Sequence, residues 1–336
     1  MTKQIKQFFA YARDRHTVYL KKQAGSGILT KDPILQKYRF TNVFRELDKT
    51  TVWYRKNVRE RYDGKPEVLL ATVLFRMFNR IEVGEAVFNQ ISLPMSRGRP
   101  SMTAFEQYLK YGETAHLKTA IWNYVGKRGP FATGAYIISS PPGMSKLDGI
   151  LQVVDNFHKG RAVWGLSEDP IDWNDIAEDL LDNNRRPLEG VFGWLKQFDY
   201  FGSFHSYEIV TDLRHTKLLK RAPDVMTWCN VGPGARRGIN RVMGRNKKAR
   251  VPLAQMMGEM STLLGCSTIG EFWPQSDTAS CGDGSFDTRT RREMERDWPA
   301  WEMRDVEHTL CEFDKYMRVK MGEGRPRGTY RKGNTK

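Results

Sequence analysis

A basic stretch that begins with two glycines near position 232 has the composition of an anion-binding site. Residues 232–234 read Gly-Pro-Gly directly before a predicted helix, and arginines follow in its first turns. Backbone amides at a helix start bind phosphate, and a guanidinium can hold a phosphate through two hydrogen bonds. The stretch therefore predicts a phosphate or pyrophosphate site, with a solvated basic helix as the alternative. The predicted anion-binding residues are Gly232, Gly234, Arg236, Arg237, Asn240 and Arg241.

A tight turn between two predicted helices offers a second place for a phosphate. The segment 195–209, LKQFDYFGSFHSYEI, resembles a helix-hairpin-helix motif in which Gly202 and Ser203 open the second helix. In such a hairpin the glycine lets DNA approach the backbone, and the helix amides hold a phosphate without reading the base sequence. Tyr200 stands where the motif usually has its first glycine, so an ordinary turn between two helices is the alternative.

Asp224 is a candidate catalytic carboxylate because of its distance from this hairpin. It lies 22 residues after Gly202, and the helix-hairpin-helix DNA glycosylases have their catalytic aspartate at a similar distance. In that chemistry the carboxylate stabilises a developing carbocation and can take a proton from a nucleophile. The alternative is a helix N-cap that follows Pro223.

The segment 301–318, WEMRDVEHTLCEFDKYMR, is a predicted amphipathic helix that carries several titratable side chains. Glu307 and His308 are its candidates for acid–base catalysis. A solvated helix with ion pairs between residues four apart is the alternative. A further route is attack by a thiolate on the ring of a base, with Cys229 or Cys311 as the nucleophile.

Polar side chains interrupt two apolar stretches that read as helices, RFTNVFRELDKTTVWYR at 39–55 and FRMFNR at 75–80. Buried charges need partners, so ion pairs between these helices explain the pattern, and a polar substrate pocket is the alternative. An aromatic side chain near such a pocket could stack on a base. The candidate pocket residues are Arg45, Glu46, Asp48, Arg76, Asn79, Trp228, Asp305 and Lys315.

Apolar residues recur with helical spacing along most of the chain, which predicts an all-α fold with a few short extended segments. Residues 126–143 have too much glycine and proline for a helix and read as a loop with a short extended piece. The acidic segment 168–182 reads as a solvated helix. The other predicted helices span 35–61, 67–79, 101–110, 114–124, 188–198, 205–214, 237–243, 253–264 and 301–320.

The charge pattern predicts three regions along the chain. Residues 1–34 read as a basic N-terminal arm, and residues 35–320 as the catalytic domain, in two lobes that divide near 130–190. Residues 321–336 are basic and rich in glycine, which predicts a disordered tail that can add phosphate contacts.

The overall composition indicates a globular protein with a polyanionic partner. The 336 residues include 54 Lys and Arg against 39 Asp and Glu, a net charge of +15. With 40% hydrophobic and 28% charged residues, the chain is neither wholly disordered nor fibrous. Nucleic acid is the partner favoured over a membrane surface. No segment long enough to span a bilayer occurs, the four cysteines form no metal-ligand pattern, and no Walker A sequence is present, so an ATP kinase is disfavoured.

Four segments taken in order resemble a known family. RFTNVFRELDKTTVW, FRMFNR, NVGPGARRGINR and DVEHTLCEFDKY are similar to the α-glutamyl/putrescinyl thymine pyrophosphorylases of bacteriophages, whose helical domain is related to that of 5-hydroxymethyluracil DNA kinases. The resemblance covers residues 35–320 and implies a helical fold related to the helix-hairpin-helix DNA glycosylases. It also implies an amino acid:DNA transferase in the cytoplasm of the infected bacterium.

In that family, the resemblance implies that an amino acid or polyamine displaces pyrophosphate from a pyrophosphorylated 5-hydroxymethyluracil in double-stranded DNA. Asp224 is then expected to stabilise the charge on the base or to take a proton from the amine, with the stretch at 232–237 holding pyrophosphate. The base must be flipped out of the duplex. No cofactor is evident, and Mg²⁺ on the pyrophosphate is compatible with this chemistry. The alternatives are a glycosylase that excises a modified base and a non-catalytic DNA-binding module.

Overall fold

The computed structural model describes residues 2–93, 101–133, 141–160, 172–274 and 297–330. The predicted all-α class is confirmed, since helices dominate and the only strands in the described ranges are a short antiparallel pair, β1 (Ile91–Leu93) and β2 (Met102–Thr103). In chain order the α-helices are α1 (Lys3–Gln23), α2 (Pro33–Lys37), α3 (Lys49–Tyr54), α4 (Glu60–Tyr62), α5 (Glu67–Phe78), α6 (Ile81–Gly84), α7 (Ala104–Tyr111), α8 (Thr114–Val125), α9 (Lys146–His158), α10 (Trp173–Asp182), α11 (Leu188–Leu195), α12 (Ser203–Leu213), α13 (Pro233–Val242), α14 (Leu253–Cys266) and α15 (Met303–Lys320).

The helices form two compact units whose boundaries differ from the predicted ones. Residues 1–48 and 225–336 make the first unit, and residues 49–224 make the second. The chain therefore leaves and re-enters the first unit, so a single division near 130–190 does not describe it. Among the described residues, no helix has both the length and the apolar composition needed to cross a bilayer.

The predicted N-terminal arm is instead a core helix of the first unit. Thr2 caps α1 by accepting a hydrogen bond from the amide of Ile5 at 3.4 Å. Phe8 and Phe9 are fully buried, and the ring of Phe8 packs 5.6 Å from that of Phe313 on α15. The basic composition of residues 1–34 hid this apolar face, which follows the three- and four-residue spacing of an amphipathic helix.

The predicted continuous helix over 35–61 is wrong because residues 38–48 are not α-helical. Only a 3-10 turn, Arg45–Leu47, interrupts this extended stretch. The side chain of Asn42 donates to the Leu47 carbonyl at 2.9 Å, and Asp48 accepts from the Asn42 amide at 2.9 Å. Such side-chain bonds to the backbone replace the bonds that a helix would have made. The helical pattern resumes at α3, which continues through a π-helical turn, Arg55–Arg59, into α4.

The described part of the predicted disordered tail is bound to the first unit. The amide of Arg39 donates to the Gly328 carbonyl at 3.0 Å, and the amide of Tyr330 donates to the Lys37 carbonyl at 3.1 Å. This antiparallel pairing satisfies backbone groups on both segments, which fixes residues 328–330 against the stretch after α2. Residues 331–336 lie outside the described residues.

Two glycines let α13 approach α15 closely in the first unit. A Cβ atom at Gly234 would overlap the Cys311 sulfur, and one at Gly238 would overlap the Leu310 carbonyl oxygen. The second contact is with backbone, which cannot move aside as a flexible side chain can. Gly238 therefore sets the distance between the two helices.

Gly238→Ala is expected to destabilise the protein by at least about 2 kcal/mol, because the added methyl group forces the helices apart. Gly258→Ala on α14 is the matched control, since a Cβ there meets no atom within 4 Å. That control is expected to stabilise the protein by up to about 1 kcal/mol through helix propensity. Urea unfolding measures both, and equal stability of the two variants would contradict the close approach.

The second unit is built around α5, as its apolar sequence predicts. Every residue from Val68 to Phe78 is buried, and the helix ends at Asn79, which adopts the left-handed conformation with φ of 47°. The predicted helix at 114–124 is confirmed as α8, and part of the acidic segment forms α10. Residues 134–140 and 168–171, which were part of the predicted loop and acidic helix, lie outside the described residues. Helix α9 was not predicted.

Candidate active site

One face of α15 carries a row of titratable side chains toward the extended stretch 38–48 in the first unit. Asp305, His308, Glu312 and Lys315 recur at intervals of three or four, which puts them on one side of the helix. The imidazole of His308 and the hydroxyl of Thr41 are hydrogen-bonded at 2.7 Å. The carboxylate of Glu312 accepts from the Thr41 amide at 3.0 Å and from Lys315 at 2.7 Å. These contacts fix the stretch against the helix.

The other side of the stretch is held by α1. Arg15 on that helix donates to the Asn42 side chain at 2.7 Å and to the Phe40 carbonyl at 3.1 Å. Asn42 in turn holds Asp48, whose second oxygen lies 3.9 Å from the guanidinium of Arg45. Burial raises the pKa of Asp48, and the nearby Arg45 charge opposes that rise. The Asp48 carboxylate is therefore largely shielded from solvent, and the Arg45 cation balances its charge.

Asp305 is the most perturbed carboxyl group of this region. Burial, followed by the negative charges of Glu302 and Glu46, raises its pKa from 3.8 to about 7, against the opposing effects of the Glu302 amide and Arg304. That amide donates to Asp305 at 2.8 Å within a capping box at the start of α15. A carboxyl group that titrates near neutral pH can accept and release a proton at working pH.

We call this group the α15 cluster. Its members that the sequence predicted are Arg45, Glu46, Asp48, Asp305, His308 and Lys315, and those that it missed are Arg15, Thr41, Asn42 and Glu312. The cluster combines a proton acceptor, further carboxylates that suit a cationic substrate, and cations that suit an anionic one. Among the described residues, no group of three or more His, Cys, Asp or Glu side chains is arranged to hold a metal ion.

Comparison with known proteins identifies the family. The family model described as "5-hmdU DNA kinase, helical domain" matches residues 2–325. The chain belongs to this helical-domain family. A 5-hmdU DNA kinase of Bacillus phage SP10 is 25% identical over 246 residues, which cover 70% of this chain and 35% of the kinase. This chain therefore spans about a third of the length of that relative. No solved structure matches.

The chain is thus related to a phage enzyme that is named for modified DNA. The resemblance to the thymine pyrophosphorylases, which are also named for a modified base, agrees with this relationship at a coarse level. The relative is named as a kinase of 5-hmdU DNA, a transferase that acts on modified DNA. Membership in the narrower pyrophosphorylase family stays a prediction.

In the predicted pyrophosphate site at residues 232–241, several backbone and side-chain groups are bonded to other parts of the protein. The amide of Gly232 donates to the carboxylate of Glu307 at 3.3 Å. The guanidinium of Arg236 donates to the Val231 carbonyl at 3.1 Å. Arg236 is exposed and also contacts the Met256 sulfur on α14, so it does not face α15. Glu307 lies at the start of α13, apart from the row on α15 that includes His308.

The other two arginines of the predicted pyrophosphate site converge on a buried acid. Asp314 is fully buried and accepts from Arg237 at 2.7 Å and from Arg241 at 2.9 Å. Arg241 also pairs with Glu323. These guanidinium groups therefore stabilise the contact between α13, α15 and the segment after it, and the predicted pyrophosphate contact by them stays a prediction.

Asn240 has a structural position rather than the predicted contact with DNA or pyrophosphate. Its side chain is buried and donates to the Ala249 carbonyl at 2.9 Å and to the Lys247 carbonyl at 3.3 Å. It accepts from Arg245 at 3.0 Å. Asn240 thereby fixes the basic loop 244–250, which presents Lys248 and Arg250 on the surface.

The two candidate thiols are poorly suited to nucleophilic attack. Burial raises the pKa of Cys229 and that of Cys311, the latter to about 12, and the charge of Glu307 acts in the same direction on both. The thiolate fraction near neutral pH is therefore very small. The route through a cysteine nucleophile is disfavoured.

Arg76 and Asn79 belong to the second unit, whereas the α15 cluster belongs to the first. Arg76 is buried and forms a two-pronged ion pair with Asp212 on α12, with one N–O distance of 2.8 Å. Its guanidinium also donates to Asn79 at 2.7 Å. The structure therefore shows the ion pair that the alternative interpretation expected, and a pocket role for these residues stays a prediction.

The predicted hairpin lies in the second unit, where residues 196–202 join two helices. Helices α11 and α12 flank a turn in which Tyr200 adopts the left-handed conformation with φ of 67°, at the position that usually has a glycine. Gly202 and Ser203 start α12 and are exposed. Contact of this turn with DNA stays a prediction. Trp228, which was expected to stack on a base, is half-buried in the first unit.

Asp224, the last residue of the second unit, binds the start of α11. Its two carboxylate oxygens accept from the amides of Leu188 at 2.7 Å and Glu189 at 3.0 Å. The residue therefore caps a helix, although not the helix that follows it in the chain. Its predicted catalytic role has no support from this geometry and stays a prediction.

Asp224→Asn is expected to lower the free energy of unfolding by about 1 kcal/mol, because the amide side chain keeps only one acceptor for the two backbone donors. Any reaction on DNA is expected to persist once the folded fraction is corrected for. Unfolding curves and activity assays on the same preparation measure both. Complete loss of activity in a fully folded variant would restore Asp224 as the catalytic carboxylate.

Proposed function

We propose that the α15 cluster transfers an amine to modified thymine bases in DNA. In this reaction the amine nitrogen bonds to the exocyclic carbon of 5-(pyrophosphoryloxymethyl)uracil, the carbon–oxygen bond breaks, and pyrophosphate leaves. The amine loses one proton. The observation that carries the proposal is Asp305, a carboxyl group whose pKa lies near 7 beside the charges of Glu46 and Glu302.

Asp305 suits the proton transfer that this reaction needs. An amino acid or polyamine is an ammonium ion at neutral pH and must lose a proton before its nitrogen can attack. A carboxylate with a raised pKa is a stronger base than an ordinary one, and with a pKa of about 7 roughly half of it is ionised at neutral pH. The neighbouring carboxylates Glu46 and Glu302 favour binding of a cationic amine.

The remaining members of the α15 cluster position these groups. Glu312 and Thr41 hold His308 and the extended stretch in place through the bonds described above. Arg45 and Lys315, which lie beside Asp48 and Glu312, are the cations that we assign to the phosphates of the leaving group, and Arg15 holds the extended stretch. This assignment replaces the glycine-rich stretch at 232–234, whose first amide is bonded to Glu307.

DNA as the substrate is supported by the family and by the charge of the chain. The relative is named for its action on 5-hmdU DNA, and this chain has a net charge of +15. The basic loop 244–250 offers cations to the phosphate backbone, which supports affinity without reading sequence. The target base must be flipped out, at a cost of a few kcal/mol.

A second candidate function is a helical module that binds DNA for a separate kinase. The match to the helical domain of a kinase, over 35% of that kinase's length, favours it. The 336 residues contain no Walker A sequence, so under this proposal they do not themselves supply a P-loop for phosphorylation. Under this proposal the α15 cluster would carry no chemistry.

Release of pyrophosphate distinguishes the two candidates. DNA that contains the pyrophosphorylated base, made with a 5-hmdU kinase, is incubated with the protein and with single amines, and pyrophosphate is counted. Transfer predicts release that needs both the protein and an amine. Binding of the DNA without release would support the module, and release of free base with abasic sites would support a glycosylase.

A further inference from the structure

A cavity of about 370 Å³ lies in the first unit, where α2 meets the C-terminal end of α15 and the segment that follows, and none of its lining residues is a member of the α15 cluster. Its walls are partly apolar and partly polar. Two cations, Lys37 and Arg325, are the charged residues of its lining. The lining includes Pro33, Ile34, Lys37, Tyr38, Val319 and Arg325.

Neither cation of this cavity has an acidic partner within the described ranges. The acid nearest to Arg325 in sequence is Glu323, and it is engaged by Arg241 and by Lys247, the latter at 2.6 Å. The nearest acid on α2, Asp32, accepts from the Tyr316 hydroxyl and from the amides of Ile34 and Leu35. Two cations that form no ion pair with a described residue attract an anion, since their charges add at that point. The apolar part of the walls favours a ligand that has an uncharged, flat part as well.

The rim of the cavity is fixed and is also basic. Antiparallel pairing of Tyr38 with Thr329 binds the C-terminal segment to the stretch after α2. The guanidinium of Arg39 lies over the ring of Tyr330, 5.7 Å from its centroid. Exposed Arg327 belongs to the same segment. Cations interleaved with aromatic rings on one surface are typical of sites that bind nucleic acid.

We propose that this cavity binds a nucleotide, with its phosphate at Lys37 and Arg325 and its base or sugar against the apolar part of the walls. The volume falls in the range of pockets that enclose small organic ligands. A nucleotide unit of the DNA substrate and a free nucleotide share this chemistry. The first source rests on the proposed function, because it makes the cavity a second contact with the DNA that the α15 cluster modifies.

The double variant Lys37→Ala/Arg325→Ala tests the proposal against Lys21→Ala/Lys22→Ala. The control removes two exposed cations at the end of α1 and changes the net charge equally. Affinity for a duplex that contains 5-hydroxymethyluracil is measured by fluorescence anisotropy at several salt concentrations. The cavity variant is expected to bind the duplex roughly tenfold more weakly than wild type. The slope of log affinity against log salt concentration should fall by about two released counterions, and both changes should exceed those of the control.

Titration with thymidine monophosphate separates the two sources. Saturable binding that the cavity variant loses supports a free nucleotide, and a defect with DNA alone supports a unit of the substrate. Equal affinities of the two double variants for both ligands would overturn the proposal. These binding results hold whether or not any variant transfers an amine, so failure of the proposed function is seen separately in the pyrophosphate assay.

Discussion

Asp305→Asn is expected to lower the rate of amine transfer by roughly 100-fold or more while leaving affinity for DNA unchanged. The asparagine keeps an oxygen that can accept from the Glu302 amide, so the start of α15 is preserved. What it loses is the basic group that takes the proton from the amine. Initial rates at saturating DNA and amine measure the effect, and Asp175→Asn on the exposed face of α10 is the control.

The pH dependence of the wild-type rate gives the second signature of Asp305. Its pKa of about 7 means that the basic form increases as pH rises through neutrality, so the rate should rise and then level off around an apparent pKa of 7. A variant with residual activity should lack this step. A rate close to wild type in Asp305→Asn, with the step unchanged, would remove Asp305 from the mechanism.

The free energy of unfolding should fall as pH rises through neutrality, whereas the rate of amine transfer should rise. Because the folded protein raises the pKa of Asp305 above 3.8, folding favours the protonated form, and stability falls as pH rises from about 4 to 7. Asp305→Asn removes this penalty. At pH 8 the variant is expected to be more stable than wild type by on the order of 1–3 kcal/mol, as urea unfolding measures.

Arg76→Met is expected to destabilise the protein by about 3–5 kcal/mol, because it leaves the carboxylate of Asp212 buried without its cation. Both side chains are almost fully buried, with exposed fractions of 1% and 3%. Arg186→Met, which breaks an exposed pair with Asp179, is the matched control and should cost less than about 1 kcal/mol. Urea midpoints measure both variants.

Replacing both members of the buried pair tests the cause of this loss. Arg76→Met/Asp212→Leu removes the uncompensated charge together with its partner and should recover most of the lost stability. If the double variant were as unstable as Arg76→Met, the loss would come from the other contacts of Arg76, such as its bond to Asn79. If Arg76→Met lowered the free energy of unfolding no more than Arg186→Met does, the buried Arg76–Asp212 pair would not stabilise the protein more than an exposed pair.

The helices that the sequence predicted well are those with a continuous apolar pattern. Helix α5 is apolar on nearly all sides, and α15 has an apolar face over 18 residues. The stretch 38–48 was predicted as helix because its apolar side chains have helical spacing. In the structure the side chains of Asn42 and Asp48 bond to the backbone instead. Local spacing does not reveal which of these two arrangements has the lower free energy.

The row on α15 could be found from the sequence, since Asp305, His308 and Lys315 already stood out there. What could not be found was its partner segment, because Arg15 and Thr41 reach the row only through packing of distant parts of the chain. The arginines of α13 show the same limit. Their composition fits an anion site, but the buried Asp314, more than seventy residues away, takes their charge.

Mass analysis of nucleosides tests the central claim most directly. DNA that contains 5-hydroxymethyluracil is phosphorylated by a cognate kinase, incubated with this protein and a mixture of amino acids and polyamines, and digested. Amine transfer predicts a new nucleoside that is heavier than thymidine by the mass of one amine less two hydrogen atoms, formed by the wild-type protein and not by Asp305→Asn. Recovery of only the starting nucleosides from DNA that the protein demonstrably binds would contradict it.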